Sequence, residues 1–141
     1  MTTTPAQFLD AYLAAVDAAD APTVQALYAP DARVFDAMGR WQFAGEAWPE
    51  HVDFWLSMVR PGGTSSVTDV EVVDGGDLAV VHATITYVSE LSDGGTGTCT
   101  LRFTQVLRAT GDGWRIVHEH SSFPVTMEEE PKVIRYERVA S

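Results

Sequence analysis

Two histidines and a glutamine are the first candidates for chemistry, because they fall on an otherwise apolar strand face. His118 and His120 alternate along the segment that follows the turn at residues 110–113. A two-residue turn there pairs Gln105 with His118. The same register pairs Phe103 with His120, and alternation turns both pairs toward the core. Buried imidazoles and amides need hydrogen-bond partners or water. These residues are therefore either satisfied core groups or the polar floor of a mostly apolar small-molecule pocket.

The same two histidines raise the question of a metal site. One strand face would hold their imidazoles about 7 Å apart. A metal would need a third and preferably a fourth ligand, and the candidates are His51, His82 and Asp36. No sequence spacing selects any of them, so we predict no metal site.

Other polar or reactive residues lie on the last hairpin and on the strand before it. Arg102 and Glu119 fall on the opposite, polar face of the last hairpin, where we expect them to pair. His82 also falls on an outer face, and Tyr87 on the apolar side of its strand. The single cysteine, Cys99, lies in a strand-like run with no base near it in sequence, so we interpret it as a small apolar residue rather than a nucleophile.

Three helices are predicted before the strands. Thr4 can cap a first helix with Pro5 at its first position, and apolar residues then recur at helical spacing. Asp20 caps a short second helix, which we expect Pro30 to end. A third helix is predicted to start near Gly45. Its apolar face would hold Val52, Trp55, Leu56 and Val59.

The second half of the chain predicts four strands, at residues 66–74, 78–90, 97–109 and 114–123. Glycine-rich turns separate them, which indicates consecutive antiparallel pairing. Helices followed by strands define an α+β class. We expect residues 1–141 to form a single domain, with residues 124–141 as a C-terminal tail or edge strand.

Composition excludes several classes of partner. The chain has 141 residues and a net charge of −11, from 20 acidic and 9 basic residues. Such a charge repels polyphosphate backbones, so we expect no nucleic acid partner. No apolar stretch approaches the roughly 20 residues of a membrane helix, and no signal peptide is visible. We therefore expect a cytoplasmic protein with no membrane partner.

Three segments resemble the SnoaL-like branch of the nuclear transport factor 2-like superfamily, which includes ketosteroid isomerases and polyketide cyclases. They are Ala11–Asp20, Leu27–Ala32 and Gly113–Ser122, and the last is also similar to the calcium/calmodulin-dependent kinase II association domain. The resemblance implies a cone-shaped α+β barrel, in which three N-terminal helices pack on a curved antiparallel sheet and enclose a pocket. It also implies a homodimer through the outer face of the sheet.

The resemblance to ketosteroid isomerase suggests roles for three residues. Asp36 matches the general base, and Tyr12 matches the tyrosine that hydrogen-bonds the oxyanion, although Tyr12 can equally be a packed core aromatic. Gln105 occupies the place of a protonated aspartate, a departure that argues against steroid isomerisation because an amide is not an acid.

Two functions follow from these residues. The first is a small-molecule-binding SnoaL-like domain, and the alternative is a cofactor-independent isomerase, cyclase or dehydratase. Both would act on a small apolar or carbonyl-bearing ligand. In the enzyme, Asp36 would be the general base, Tyr12 and Gln105 would hydrogen-bond the oxyanion, and His118 or His120 would move a proton. The remaining residues expected to contact the ligand are Trp41, Trp55, Tyr87 and Phe103.

Overall fold

The computed structural model describes residues 3–135. Its elements are α1 (Pro5–Asp17), α2 (Ala21–Ala26), β1 (Tyr28–Phe35), β2 (Phe43–Ala44), α3 (Ala47–Ser57), β3 (Thr64–Asp74), β4 (Leu78–Glu90), β5 (Thr96–Thr110) and β6 (Gly113–Ser122). The six strands form one curved, unclosed sheet in the order β2-β1-β6-β5-β4-β3. The α+β prediction is confirmed, with three helices in the N-terminal part of the chain. The predicted bounds of the last four strands are correct to within about two residues.

Helix α1 begins at a capping box, as its sequence predicts. The Thr4 side chain accepts a hydrogen bond from the backbone N–H of Gln7, and the Gln7 side chain accepts one from the backbone N–H of Thr4. At the other end of the helix, Asp17 accepts hydrogen bonds from the backbone N–H and hydroxyl of Ser65, at 3.0 and 2.6 Å. These contacts tie the end of α1 to the start of β3. The apolar face of α1 is thereby held against the sheet.

Strand β1 makes the sheet mixed rather than wholly antiparallel. It pairs antiparallel with β2 but parallel with β6. We expected Pro30 to end the second helix, and this prediction was wrong. Helix α2 stops at Ala26, and Pro30 lies inside β1. The proline falls within the stretch where the β1–β6 register shifts, which is where a strand tolerates a residue that has no N–H.

The β5–β6 hairpin begins in the predicted register and then departs from it. Leu107 pairs with Ile116 as expected, but Val106 pairs with His118, which leaves Val117 as an extra residue in β6. This β-bulge shifts every later pair by one residue, and a shift of one residue exchanges the two faces of a strand. Gln105 therefore lies opposite Glu119, not His118, and Phe103 lies opposite Ser121, not His120.

The core fills the space between the helices and the concave face of the sheet. Helix α1 contributes Phe8, Leu9 and Tyr12 to it, and α3 contributes Trp48, Val52 and Leu56. The inner sides of β4, β5 and β6 supply the opposite wall. Among the helices within residues 3–135, none has both the length and the apolar character that crossing a bilayer requires.

The segment after β6 leaves the main sheet. Val125 and Val133 form an isolated antiparallel bridge, and residues 125–135 are mostly exposed. Residues 136–141 lie outside the described part of the chain, so an edge strand in the tail stays a prediction.

Candidate functional site

A cavity of about 680 Å³ lies between α1, α3 and the inner face of β4–β6. That volume is within the usual range for small-molecule sites. Most of its wall is apolar or aromatic. The polar groups on the wall include three carboxyl groups, those of Asp36, Asp93 and Glu119, and the imidazole of His51.

Glu119 is a buried carboxyl group on the wall of this cavity. Only 2% of the residue is exposed. Its Oε1 accepts hydrogen bonds from the Tyr28 hydroxyl at 2.8 Å and from Gln105 Nε2 at 2.9 Å. Burial raises the pKa of Glu119 to about 7, because those two hydrogen bonds offset the loss of hydration only in part and the charge of Asp36 raises the pKa further. Near neutral pH the group can therefore either donate or accept a proton.

Three tyrosines surround Glu119. Burial raises the pKa of Tyr12, Tyr28 and Tyr87 above the usual value for a phenol, and the charge of Glu119 raises each of them further. All three hydroxyls are consequently neutral hydrogen-bond donors at physiological pH. The Tyr12 ring also packs against Phe103, with centroids 5.6 Å apart.

Asp36 is held at the cavity wall by groups from two other elements. The Ser121 hydroxyl in β6 donates to Asp36 Oδ1 at 3.1 Å, while the backbone N–H of Ala37 donates to Ser121 Oγ at 3.0 Å. His51 Nε2 in α3 lies 3.4 Å from Asp36 Oδ2. The imidazole of His51 and the carboxyl group of Asp36 are therefore direct neighbours on the cavity wall.

Aromatic rings fix the position of His51 and shape the cavity. The imidazole stacks on Phe43 with centroids 4.3 Å apart and lies 5.5 Å from the Trp48 ring. Across the cavity, Trp55 meets Tyr87 edge to face at 6.1 Å. The indole N–H of Trp48 is buried with no hydrogen-bond partner among residues 3–135. A buried donor of this kind is satisfied when a water or a ligand oxygen reaches it.

The structure brings six of the nine predicted site residues to this region. Five of them, Tyr12, Asp36, Trp55, Tyr87 and Phe103, line the cavity. Gln105 lies directly behind the wall and reaches the cavity only through Glu119.

The other three predicted site residues lie elsewhere, and their placement in the pocket was wrong. The bulge at Val117 turns His118 and His120 to the outer face, where both rings pack edge to face on Phe35. His118 Nδ1 is 2.8 Å from the backbone oxygen of Arg33. Trp41 lies between β1 and β2 and is 95% exposed.

The expected outer-face pair of Arg102 and Glu119 is also wrong, for the same reason. Arg102 Nε donates to Ser122 Oγ, and Glu119 faces the cavity. His82 does lie outward, as predicted, with its Nε2 3.5 Å from Glu71.

Three residues of the site were missed from the sequence: Glu119, Ser121 and His51. Glu119 and Ser121 share the strand of the histidines; Glu119 was assigned to the wrong face, and Ser121 was not considered as a site residue. His51 was considered only as a metal ligand, although its helical spacing from Trp48 and Trp55 places it on the same face of α3. Within residues 3–135, no three metal-binding side chains cluster.

Cys99 lies on the cavity wall, half-buried. Burial and the charge of Asp36 raise the pKa of its thiol. A thiol with a raised pKa is a poor nucleophile, in agreement with the apolar role expected for it.

Solved structures share this architecture. An NTF2-like protein of unknown function from Pseudomonas putida KT2440 is 28% identical, with a TM-score of 0.80 over 95% of this chain and 93% of that one. A putative calcium/calmodulin-dependent protein kinase II association domain from Xanthomonas campestris is 24% identical, with a TM-score of 0.69 over 83% of each chain. A ketosteroid isomerase-like protein from Erwinia carotovora atroseptica is also 24% identical, with a TM-score of 0.68 over 82% of this chain and 89% of that one. No curated protein sequence matches the chain.

Helices that close over a curved sheet, with a mostly apolar cavity between them, define a protein of the NTF2-like fold class. Within that class, the SnoaL-like domain family matches residues 6–126, and the chain belongs to this family.

Proposed function

We propose that this chain binds a small, mostly apolar molecule that carries a carbonyl or hydroxyl oxygen. The observation that supports this function is the cavity of about 680 Å³, whose aromatic wall is interrupted by a few convergent polar groups. Glu119 in its protonated form can donate to such an oxygen. A cytoplasmic location remains a prediction for this chain.

A second candidate function is proton transfer on that molecule without a cofactor, as in an isomerase, cyclase or dehydratase. The observation in its favour is that Asp36 is oriented by Ser121 and His51 on the same cavity as a carboxyl group of pKa about 7. Two carboxyl groups in different environments can divide the roles of base and acid between them.

The proposed step moves one proton and one electron pair. Asp36 removes a proton from the carbon next to a carbonyl, and the electron pair of that C–H bond moves toward the carbonyl oxygen. Protonated Glu119 donates a hydrogen bond to that oxygen as its negative charge develops. Asp36 then returns the proton to carbon, which completes an isomerisation or an exchange. Glu119 takes the place that the sequence suggested for Gln105, and Gln105 positions Glu119 through Nε2.

The test of catalysis uses a general probe of proton abstraction. We expect the protein to accelerate exchange of the α-hydrogens of 1-tetralone in deuterated water, followed by NMR. Asp36→Asn removes the base, so the rate should fall at least about 100-fold, the lower range for a general base. Asp10→Asn, an exposed change on α1, is the matched control and should retain the wild-type rate.

The outcomes of this test separate the two functions. If 1-tetralone binds, as followed by a thermal shift, but the wild-type protein does not accelerate exchange, the catalytic function fails and the binding function stands. If Asp36→Asn exchanges as fast as the wild type, Asp36 is not the base.

We also propose that two chains form a homodimer through the outer face of the sheet. Two similar folds support assembly as a role for this scaffold: the association domain from Xanthomonas campestris and the association domain of the C. elegans kinase, CaMKII.

A further inference from the structure

The charges around the cavity are unbalanced. Its lining holds three carboxylates, Asp36, Asp93 and Glu119, and among residues 3–135 it includes no lysine or arginine. Among the described lining residues the only imidazole is that of His51, and the carboxyl group of Asp36 lies beside it. The guanidinium of Arg60, which is exposed and outside the lining, donates to the backbone oxygen of the lining residue Ser92 at 3.3 Å.

This distribution of charge opposes an anionic ligand. A carboxylate or phosphate in the cavity would lose its hydration and meet carboxylates instead of cations, and an uncompensated buried charge is costly. The chain as a whole, at a net charge of −11, adds to the repulsion. The ligand must therefore be neutral or cationic.

Two features favour a cation. Glu119 uses Oε1 for its hydrogen bonds from Tyr28 and Gln105, and no hydrogen bond from residues 3–135 reaches its Oε2. The residue is nearly fully buried and lines the cavity, so Oε2 is the acceptor that a ligand can reach. Aromatic rings on the same wall, including Trp55 and Tyr87, can hold an ammonium group over their faces.

We infer that the ligand of this cavity is a ring compound that carries a protonated amine, which pairs with Glu119 while the ring packs against the aromatic wall. This inference rests on the proposed binding function and specifies the charge of its ligand. With an amine bound, Glu119 is ionised and accepts from the ammonium group, whereas in the catalytic function it is protonated and donates to the ligand oxygen. The titratable groups that face Glu119 are Tyr12 from α1, Tyr28 from β1, Tyr87 from β4, and Asp36 just after β1. None of them is a cation, so an incoming ammonium would be the first positive charge beside Glu119.

A matched ligand series tests the inference. The probes are 2-aminotetralin, 2-tetralol and tetralin-2-carboxylate, which share one two-ring skeleton and differ in charge. We expect calorimetric titration at pH 7 to give an affinity for the amine about ten-fold above that for the alcohol, because a charge-assisted hydrogen bond replaces a neutral one. The carboxylate should bind about ten-fold more weakly than the alcohol.

A second readout is the number of protons that are released when the amine binds. Because the pKa of Glu119 is raised to about 7, a fraction of the Glu119 carboxyls carries a proton at pH 7, and amine binding should release that fraction of a proton per chain. The release appears as a difference in binding heat between phosphate and Tris buffers. Glu119→Gln should abolish both the release and the preference for the amine over the alcohol. Glu50→Gln, an exposed change on α3 with the same effect on net charge, should retain both.

Each outcome decides between distinct conclusions. If the carboxylate or the alcohol binds more tightly than the amine, the inference is overturned while the binding function stands. If Glu119→Gln keeps the preference for the amine, Glu119 is not its partner and the inference is overturned. If none of the three compounds binds, the binding function itself fails and the inference fails with it.

Discussion

At the scale of single residues, Glu119 is a group whose protonation changes on folding at mildly acid to neutral pH. Its pKa is about 7 in the folded protein and 4.5 as an unperturbed side chain. The folded state therefore binds more protons than the unfolded chain between these two values. Folding stability consequently falls as the pH rises through this window and levels off above it.

Glu119→Gln removes this titration and keeps an oxygen that can accept from Tyr28 and Gln105. Urea unfolding measured from pH 4.5 to pH 7.5 should show that the free energy of unfolding of the variant rises relative to that of the wild type as the pH rises. The gain should be on the order of 3 kcal/mol over the window, from the difference between the two pKa values. A difference between variant and wild type that does not change with pH would contradict the buried titration.

The residues of the site differ in how far sequence could predict them. Phe103 and Tyr87 follow strand alternation with apolar neighbours, and Tyr12 follows the apolar face of a long helix, so all three were placed correctly. Trp41 was placed by residue type alone. It lies in the glycine-containing loop between β1 and β2, and no periodicity fixes the direction of a side chain in such a loop.

At the scale of elements, the bulge in β6 decides which chemistry the cavity receives. Val117 is as apolar as its neighbour Ile116, so the sequence carries no sign that it is the extra residue. A bulge of one residue exchanges the two faces of the strand beyond it. Because Glu119 alternates with His118 and His120, the bulge turns the carboxyl group inward and the two imidazoles outward. The bounds of the strand were predictable, but the identity of its inward residues depends on this local irregularity.

The start of α1 offers an element-scale test with a defined size. Thr4→Ala removes the acceptor for the Gln7 backbone N–H and half of the capping box. We expect a loss of about 1 kcal/mol in the free energy of unfolding, measured by urea denaturation. Gln7→Ala leaves the Thr4 oxygen in place and should cost less. Equal losses from the two variants would mean that the Thr4 side chain is not the stabilising cap.

At the scale of the whole molecule, charge restricts where two chains can meet. Each chain has a net charge of −11, so most surfaces of two copies repel each other. The outer face of β5 and β6 differs, because three of the nine basic residues, Arg102, Arg108 and Arg115, lie there. Of these, Arg108 is paired with Asp31. These arginines reduce the local excess of negative charge on the outer face, which favours this face over the acidic remainder of the surface for the proposed contact.

Half-buried, β-branched side chains lie among those arginines, and Val106 in β5 is one of them. In the proposed dimer, a carboxylate at this position would be enclosed between the two chains and would lose its hydration, so Val106→Glu should abolish the dimer. Sedimentation velocity should give twice the 15.4 kDa chain mass for the wild type and the single chain mass for the variant. Val73→Glu makes the same change on β3, where the valine is already 61% exposed, and should remain dimeric. A monomeric wild type, or a Val106→Glu variant that still sediments as a dimer, would show that the outer face is not the contact.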